Sequence, residues 1–452
     1  MSDELFPATR HALLHRLATA QAEARLPSVV GAVVRDGAPV WFGSRSCVDG
    51  HAPDDDTQYR IGSITKTFVA VQVMRLRDEG RLDLADRLDQ HLPGTPLGAA
   101  RIAELLAHTA GLAAESAGSW WERVPGEPSL AAALGDDPTR HPAGRRFHYS
   151  NPGFAVLGAL VAAMRGASWG ECLQRELLDP LSMTRTSLMP RAPHAGGWAV
   201  HPWADVLLPE PAEDAGPMAP AGQLWSTASD LARFATFLTV GHPAVLAAST
   251  LEEMRAISGP SDRTGGYGFG LQVQYDGDRT LVGHTGSMPG FLATVWTSVA
   301  EQLSGIVLVN ATSGVSIGSL GADLVRIVAE HEPPLPPEWR PAADVDHDLL
   351  ALSGAWYWGT SSVALRLLPD RGLELRPLVG SSRGSRFRAQ PDGTWLGLDD
   401  YYAGERLQVV RDASGTVSHL NVGTFIFTRT PYDADAPVPG GVDPAGWRGL
   451  PG

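Results

Sequence analysis

The segment Glu332-Pro333-Pro334-Leu335-Pro336-Pro337-Glu338-Trp339-Arg340-Pro341 divides the chain, because half of its residues are prolines. Proline has no amide hydrogen and a locked φ, so neither a helix nor the interior of a sheet continues through such a stretch. It reads as a stiff, extended linker. The residues on either side are expected to fold as separate units, since 452 residues exceed what one core usually supports. The expected organisation is a first domain at 1–332, the linker at 333–348, a second domain at 349–431 and a Pro/Gly-rich tail at 432–452, lying over the surface.

The two sides differ in period. Leu13, Leu14, Leu17 and Ala18 recur at helical spacing within 8–25. Val29–Val34 and Pro39–Phe42 read as strands joined by an Asp-Gly hairpin turn. An apolar helical pattern through Phe68, Val69, Val73, Met74 and Leu76 opens at Gly62-Ser63, which puts Ser63 at a helix N-terminus, where free N–H groups favour negative charge. Residues 82–185 read as mostly helical; within them Pro152–Met164 is too short to cross a bilayer and reads as a buried helix. Residues 186–222 lack a period and read as a long surface loop. A helix over Thr227–Leu238 precedes strands at Leu271–Tyr275, Thr280–Val282, Phe291–Ser298 and Gly305–Asn310. Helices with an antiparallel sheet make an α+β domain.

Beyond the linker, stretches such as Val363–Leu367 and Leu373–Arg376 alternate in polarity between tight turns. Seven or eight such strands predict a small antiparallel β-barrel. Trp356, Tyr357, Trp358, Tyr401 and Tyr402 read as barrel core, with substrate contact as the alternative.

Asp and Glu total 50 against 36 Lys and Arg, which argues against binding to nucleic acid or an anionic membrane surface. The acidic start, Met1-Ser2-Asp3-Glu4-Leu5-Phe6, is unlike a secretory signal and predicts a cytoplasmic protein. Cys47 and Cys172 are expected as free, buried thiols. The histidines are scattered without metal-ligand spacing, so neither a metal nor a cofactor is expected.

Among the basic residues one stands alone: Lys66 is the only lysine, and the other 35 are arginines. Arginine does not lose its proton, whereas a desolvated lysine does so near neutral pH and serves as a base. Ser63 precedes Lys66 by three residues, one helical turn, in the Ser-x-x-Lys arrangement of an activated serine. A surface lysine beside a capping serine fits the same spacing. Tyr149-Ser150-Asn151 offers a second proton carrier, a tyrosine whose phenol pKa would fall beside cations, and an amide able to hold a substrate amide. A buried tyrosine with a turn asparagine before Pro152 is the plainer account. His284-Thr285-Gly286-Ser287, at a strand edge, could present a cation or donor, with Gly286 letting a substrate backbone approach; a turn histidine is equally consistent.

In this order, Ser63-x-x-Lys66, Tyr149-x-Asn151 and His284-x-Gly286 resemble the penicillin-recognising serine hydrolases, the family of class C β-lactamases and D-stereospecific peptidases and esterases. The stretches Tyr59–Phe68, Leu105–Leu112, His148–Gly158, Ser226–Phe237 and Gly283–Phe291 extend the resemblance, which covers roughly residues 10–330. It implies a β-lactamase/DD-peptidase-like α+β fold, with an antiparallel sheet, helices and a helical subdomain, and a lipocalin-like C-terminal barrel. It implies acyl transfer through Ser63, with Lys66 and Tyr149 sharing the base role and Tyr149 returning the proton. Backbone N–H groups of Ser63 and Ser287 would stabilise the oxyanion, while Asn151, His284 and Gly286 bind substrate. His284 departs from the lysine of the β-lactamases, which weighs against a β-lactam carboxylate as ligand. The implied substrates are peptide amides, esters or thioesters, with a D-residue at the acyl site, and a carrier protein is a possible source of them. Stand-alone penicillin-binding-protein-type thioesterases, which release and cyclise peptides, share every one of these residues. Arg429 or Arg448 would bind a substrate carboxylate. The rival reading is a non-catalytic binding protein on the same fold; the oligomeric state is left open.

Overall fold

The computed structural model describes residues 4–259, 262–336, 338–369, 371–380 and 383–432. Two compact units meet at Pro334/Leu335.

The first unit is built on a seven-stranded antiparallel sheet. Its strands are β1 (Ser28–Arg35), β2 (Ala38–Ser46), β3 (Gly265–Tyr267), β4 (Gln272–Asp276), β5 (Arg279–Met288), β6 (Phe291–Ser298) and β7 (Leu303–Val309). They lie in the order β2-β1-β7-β6-β5-β4-β3. The N-terminal hairpin thus joins the later strands through β1 and β7, in the register Val29↔Val309 and Val30↔Leu308. The apolar run of β1 is continuous because both faces are covered. Val29, Val33 and Val307 pack with Leu13 and Leu17 of α1 (Pro7–Glu23) and Leu320 and Leu324 of the last helix of the unit. Val30, Ala32 and Leu308 face the other way, into a larger core with Phe68, Phe154 and Phe234. Those three aromatics come from α2 (Thr65–Asp78), α3 (Asn151–Arg165) and α4 (Ala228–Val240), and the last helix is α5 (Ile317–His331).

Helix α3 is capped by Ser150, whose Oγ accepts the Gly153 N–H at 3.1 Å, and it is largely buried. No single helix among the described residues is long and apolar enough to cross a membrane. The expectation of mostly helical structure over 82–185 fails. Besides α3, α-helix there is confined to Ile102–Leu106, Leu130–Leu134 and Trp169–Leu173. The second of these ends at Gly135, whose φ of 65° stops it, and prolines at 138 and 142 keep the following segment extended. Cys172 is buried and free as expected, but the free Cys47 is exposed, because it follows the outermost strand of the sheet.

The second unit is an eight-stranded antiparallel meander: β8 (Gly354–Trp358), β9 (Ser361–Leu367), β10 (Leu373–Pro377), β11 (Ser385–Ala389), β12 (Trp395–Gly397), β13 (Arg406–Arg411), β14 (Val417–Val422) and β15 (Phe425–Phe427). Tyr357 in β8 and Thr428 after β15 exchange N–H···O bonds of 2.8 and 2.9 Å, which brings the ends of the sheet together into a nearly closed barrel. Period-two alternation sends Val363, Leu365, Leu373, Leu375, Phe387 and Leu420 inward around Trp356. Of the five aromatics assigned to the core, Trp356 and Tyr402 are buried and Tyr357 is half-buried, whereas Trp358, at the end of β8, and Tyr401, in the 3₁₀ turn Asp400–Tyr402, are exposed. The guanidinium of Arg383 lies 4.1 Å from the Tyr401 ring centroid and 5.6 Å from that of Trp358. Arg429 stacks on Trp356 at 4.0 Å and donates to the carbonyls of Ala351, Ser353 and Ala355, so it is committed to the barrel wall. Arg448 and the tail from 433 lie outside the described residues.

Candidate active site

Ser63 sits in a single 3₁₀ turn, Gly62–Ile64, directly before α2. A short pairing of Tyr59–Arg60 with Trp225–Ser226, and an Ile61 N–H donated to Leu224 O at 2.8 Å, anchor the chain entering the turn. The end of β5 runs against it. A Cβ on Gly62, which has φ of 53°, would lie 2.5 Å from the Ser287 nitrogen, and a Cβ on Gly286 would lie 1.9 Å from Ile61 O. Only glycine permits this backbone approach, and it sets Ser63 beside the backbone of Gly286-Ser287.

Lys66, in the first turn of α2, is fully buried. Its Nζ lies 2.9 Å from Ser63 Oγ, 2.7 Å from Asn151 Oδ1 and 2.6 Å from Ala221 O. Burial lowers its pKa to about 7, against the opposing pull of the Glu115 and then Glu122 carboxylates. An amine of that pKa is substantially neutral at physiological pH. Its two N–H bonds then point to the two oxygens that only accept, Asn151 Oδ1 and Ala221 O, and its lone pair falls toward the Ser63 hydroxyl. The arrangement can take a proton from Ser63.

Tyr149 and Asn151 reach this point because the start of α3 is zipped to the segment after Leu106. His148 N donates to His108 O at 2.8 Å, Ser150 N to His108 Nδ1 at 3.0 Å, Ser150 Oγ to Ala113 O at 2.7 Å and Asn151 N to Ala114 O at 2.9 Å. The Tyr149 ring packs on His108 with centroids 4.2 Å apart, and Lys66 Nζ is 5.0 Å from the Tyr149 centroid. The phenol pKa is raised, not lowered as its neighbouring cations suggested. Burial raises it, a hydrogen bond with Ser63 offsets part of this, and the Glu115 carboxylate adds to it. A tyrosine held protonated is a proton donor.

Residues 14–330 match the family described as Beta-lactamase. The chain belongs to the beta-lactamase family. Its second unit matches, over 345–429, a family described as "Domain of unknown function (DUF7586)". Among curated relatives of this beta-lactamase-family chain, "Beta-lactamase-like protein 2" of Dictyostelium discoideum is 28% identical over 56% of the chain. "Penicillin-binding protein 4" of Amycolatopsis lactamdurans is 29% identical over 61% of it. The aligned residues span 50% and 77% of those two proteins. Among solved structures, the octameric penicillin-binding protein homologue from Pyrococcus abyssi is similar at 22% identity with a TM-score of 0.63, covering 93% of this chain and 99% of that one. A structure of SurE with D-Leu is similar at 26% identity and a TM-score of 0.58, covering 94% of this chain and 100% of that one. The D-amino acid amidase from Ochrobactrum anthropi SV3 is similar at 19% identity and a TM-score of 0.64, over 72% of this chain and 100% of that one.

Within the beta-lactamase unit, His284 differs from its expectation. Its Nδ1–H donates to Thr285 O at 2.5 Å, and its Nε2 accepts the Tyr267 O–H at 2.9 Å. Burial, and secondarily the Lys66 charge, lower its pKa to about 3. The ring is therefore neutral with both nitrogens engaged, and it presents neither a cation nor a free donor to a substrate. The reason lies two strands away: Tyr267 on β3 and His284 on β5 flank Gln272 and Gly283, which pair across β4 and β5.

Four residues of this site went unread in the sequence: His108, Glu115, Trp121 and Tyr267. Glu115 accepts the Asn151 Nδ2–H at 2.9 Å and the Trp121 Nε1–H at 3.0 Å. Tyr267 lies within the glycine run 265–270, and His108 within the stretch Leu105–Leu112; both runs were visible, though their partners were not. Among the described residues no group of three or more His, Cys, Asp or Glu side chains is placed to hold a metal ion.

Proposed function

We propose that the protein is a serine acyl-enzyme hydrolase or acyltransferase acting in the cytoplasm on peptide amides, esters or thioesters with a D-residue at the acyl site. The observation that carries this is the Lys66 amine, buried, near neutrality and 2.9 Å from Ser63 Oγ. Ser63 attacks the carbonyl as its proton passes to Lys66. Backbone N–H groups of Ser63 and Ser287 stabilise the oxyanion, and such donors are worth on the order of 10²–10³ in rate each. Protonated Tyr149 delivers a proton to the leaving group as the bond to it breaks, and the proton that Lys66 took from Ser63 passes on to Tyr149, which restores both groups. Lys66 rather than Tyr149 is the base, because burial moves the amine toward neutrality and the phenol away from ionisation. A neutral His284 supplies no cation for a β-lactam carboxylate, which favours substrates without one.

The preference for D-residues draws on the likeness to SurE with D-Leu and to the D-amino acid amidase complexed with D-phenylalanine. A second reading, peptide release with cyclisation of a substrate delivered by a carrier protein, uses the same Ser63, Lys66 and Tyr149 and differs only in that an amine of the substrate rather than water resolves the acyl-enzyme. The first test is a fluorophosphonate probe: a Ser63-dependent mass increase is expected, and its absence would favour a non-catalytic binding protein. A thioester-linked peptide ending in a D-residue then separates the readings, since a cyclic product supports the second and a purely linear acid the first.

A further inference from the structure

We propose that Glu115 is a positioning residue: by accepting the Asn151 amide N–H it fixes that carboxamide with its oxygen toward Lys66, and so directs the Lys66 lone pair to Ser63. The inference rests on the reading of Ser63 as nucleophile and Lys66 as base.

The argument is one of donors and acceptors along a single chain of contacts. Glu115 Oε1 is 2.9 Å from Asn151 Nδ2, Asn151 Oδ1 is 2.7 Å from Lys66 Nζ, and Lys66 Nζ is 2.9 Å from Ser63 Oγ. A carboxylate only accepts, so the NH₂ side of Asn151 must face Glu115 and the oxygen must face Lys66. The Trp121 Nε1–H holds the second carboxylate oxygen at 3.0 Å, which prevents Glu115 from turning away. If the Asn151 amide were inverted, its N–H would face Lys66 and would take the lone pair of a neutral amine. Only one acceptor-only oxygen, Ala221 O, would then remain beside Nζ, and Ser63 would lose its base. Glu115 thus selects, from two amide orientations of equal shape, the one that activates the serine.

The charge of Glu115 acts on the same lysine. The groups around Lys66 are the oxygens of Ser63, Asn151 and Ala221, the rings of Tyr149 and Phe154 at 5.0 and 5.9 Å, and the buried His108 and His284, both held neutral. The charged groups that act on it are Glu115 and Glu122, and Glu122 is itself subject to the charge of Arg60. Removing the Glu115 charge therefore releases the Lys66 proton more readily and moves the acid limb of activity to lower pH.

The test is the pH profile of fluorophosphonate acylation in the full chain. In Glu115→Gln the side chain keeps its shape but can offer either a donor or an acceptor, so Asn151 is free to invert. The plateau rate is expected to fall roughly tenfold, a fraction of what a general base supplies, with the limb displaced to lower pH. Glu115→Asp, which keeps the charge, should keep the limb near its wild-type position. Trp121→Phe, which frees one carboxylate oxygen, should lower the plateau less and provides the check if Glu115→Gln folds poorly. A plateau and limb unchanged in both Glu115→Gln and Trp121→Phe would overturn the proposal, as would a lowered melting temperature with an unmoved limb in Glu115→Gln. A wild-type chain that the probe leaves unlabelled would overturn the nucleophile assignment, and this inference with it.

Discussion

The interiors of the two units treat polar atoms in opposite ways. Among the described residues of the barrel the buried polar side chains are few, Glu374, Ser385 and Thr428, and Glu374 is answered by Arg366 and Arg376. The first unit buries Lys66, Arg60, His108, His284, Gln58 and Asp230. A buried charge costs several kcal/mol unless its partners repay it, and among the described residues Lys66 meets only neutral oxygens, so it is driven toward the neutral amine. The barrel needs only apolar area to fold, so its composition reports stability. The first unit retains an arrangement that a stable core would not need, and that excess marks the site.

Four substitutions test the contrast. Ser63→Ala should have the largest effect, lowering turnover by on the order of 10⁴–10⁶ and abolishing the probe adduct seen by mass spectrometry. Lys66→Arg keeps a cation that does not deprotonate, and acylation should fall by about 10²–10⁴. The wild-type rate should rise with pH through about 7, as Lys66 loses its proton. A rate independent of pH across that range would remove the lysine from its role. Stability follows the same group. Its folded pKa lies below the unfolded value, so the unfolded chain holds more protons between them, and stability should rise with pH from about 7 toward the ordinary lysine range. Trp356→Ala should cost the barrel about 3–5 kcal/mol in denaturant unfolding while Ser63 remains labelled; loss of labelling would break the contrast between the two interiors. Ser150→Ala, which removes the cap of α3, should have the smallest effect on stability, about 1 kcal/mol, and should slow acylation as Tyr149 and Asn151 lose their anchor.

Much of this was legible in the sequence. The Asp-Gly turn between two apolar runs announced the hairpin of β1 and β2, and the Ser-x-x-Lys spacing with a solitary lysine located the centre of the site. The barrel was readable from alternation alone, because each of its strands pairs with its neighbour in sequence. What escaped was set by distance along the chain. Glu115 meets Asn151 across 36 residues, and Tyr267 meets His284 across 17 and a whole intervening strand, and no local period encodes either. The region 82–185 misled for the opposite reason: its apolar residues are spaced as in helices, yet the segment after Leu106 spends its backbone groups holding the start of α3. The protonation states of Tyr149 and His284 were likewise beyond the sequence, since enclosure rather than neighbouring charge decides both.

The solitary, fully buried lysine also makes the chain a reporter of its own opening. A protease that cleaves only after lysine has one target in 452 residues, and in the folded protein that target lies inside helix α2 at the nucleophile. Digestion can therefore yield only two fragments, and the rate at which they form measures how often the site itself unfolds.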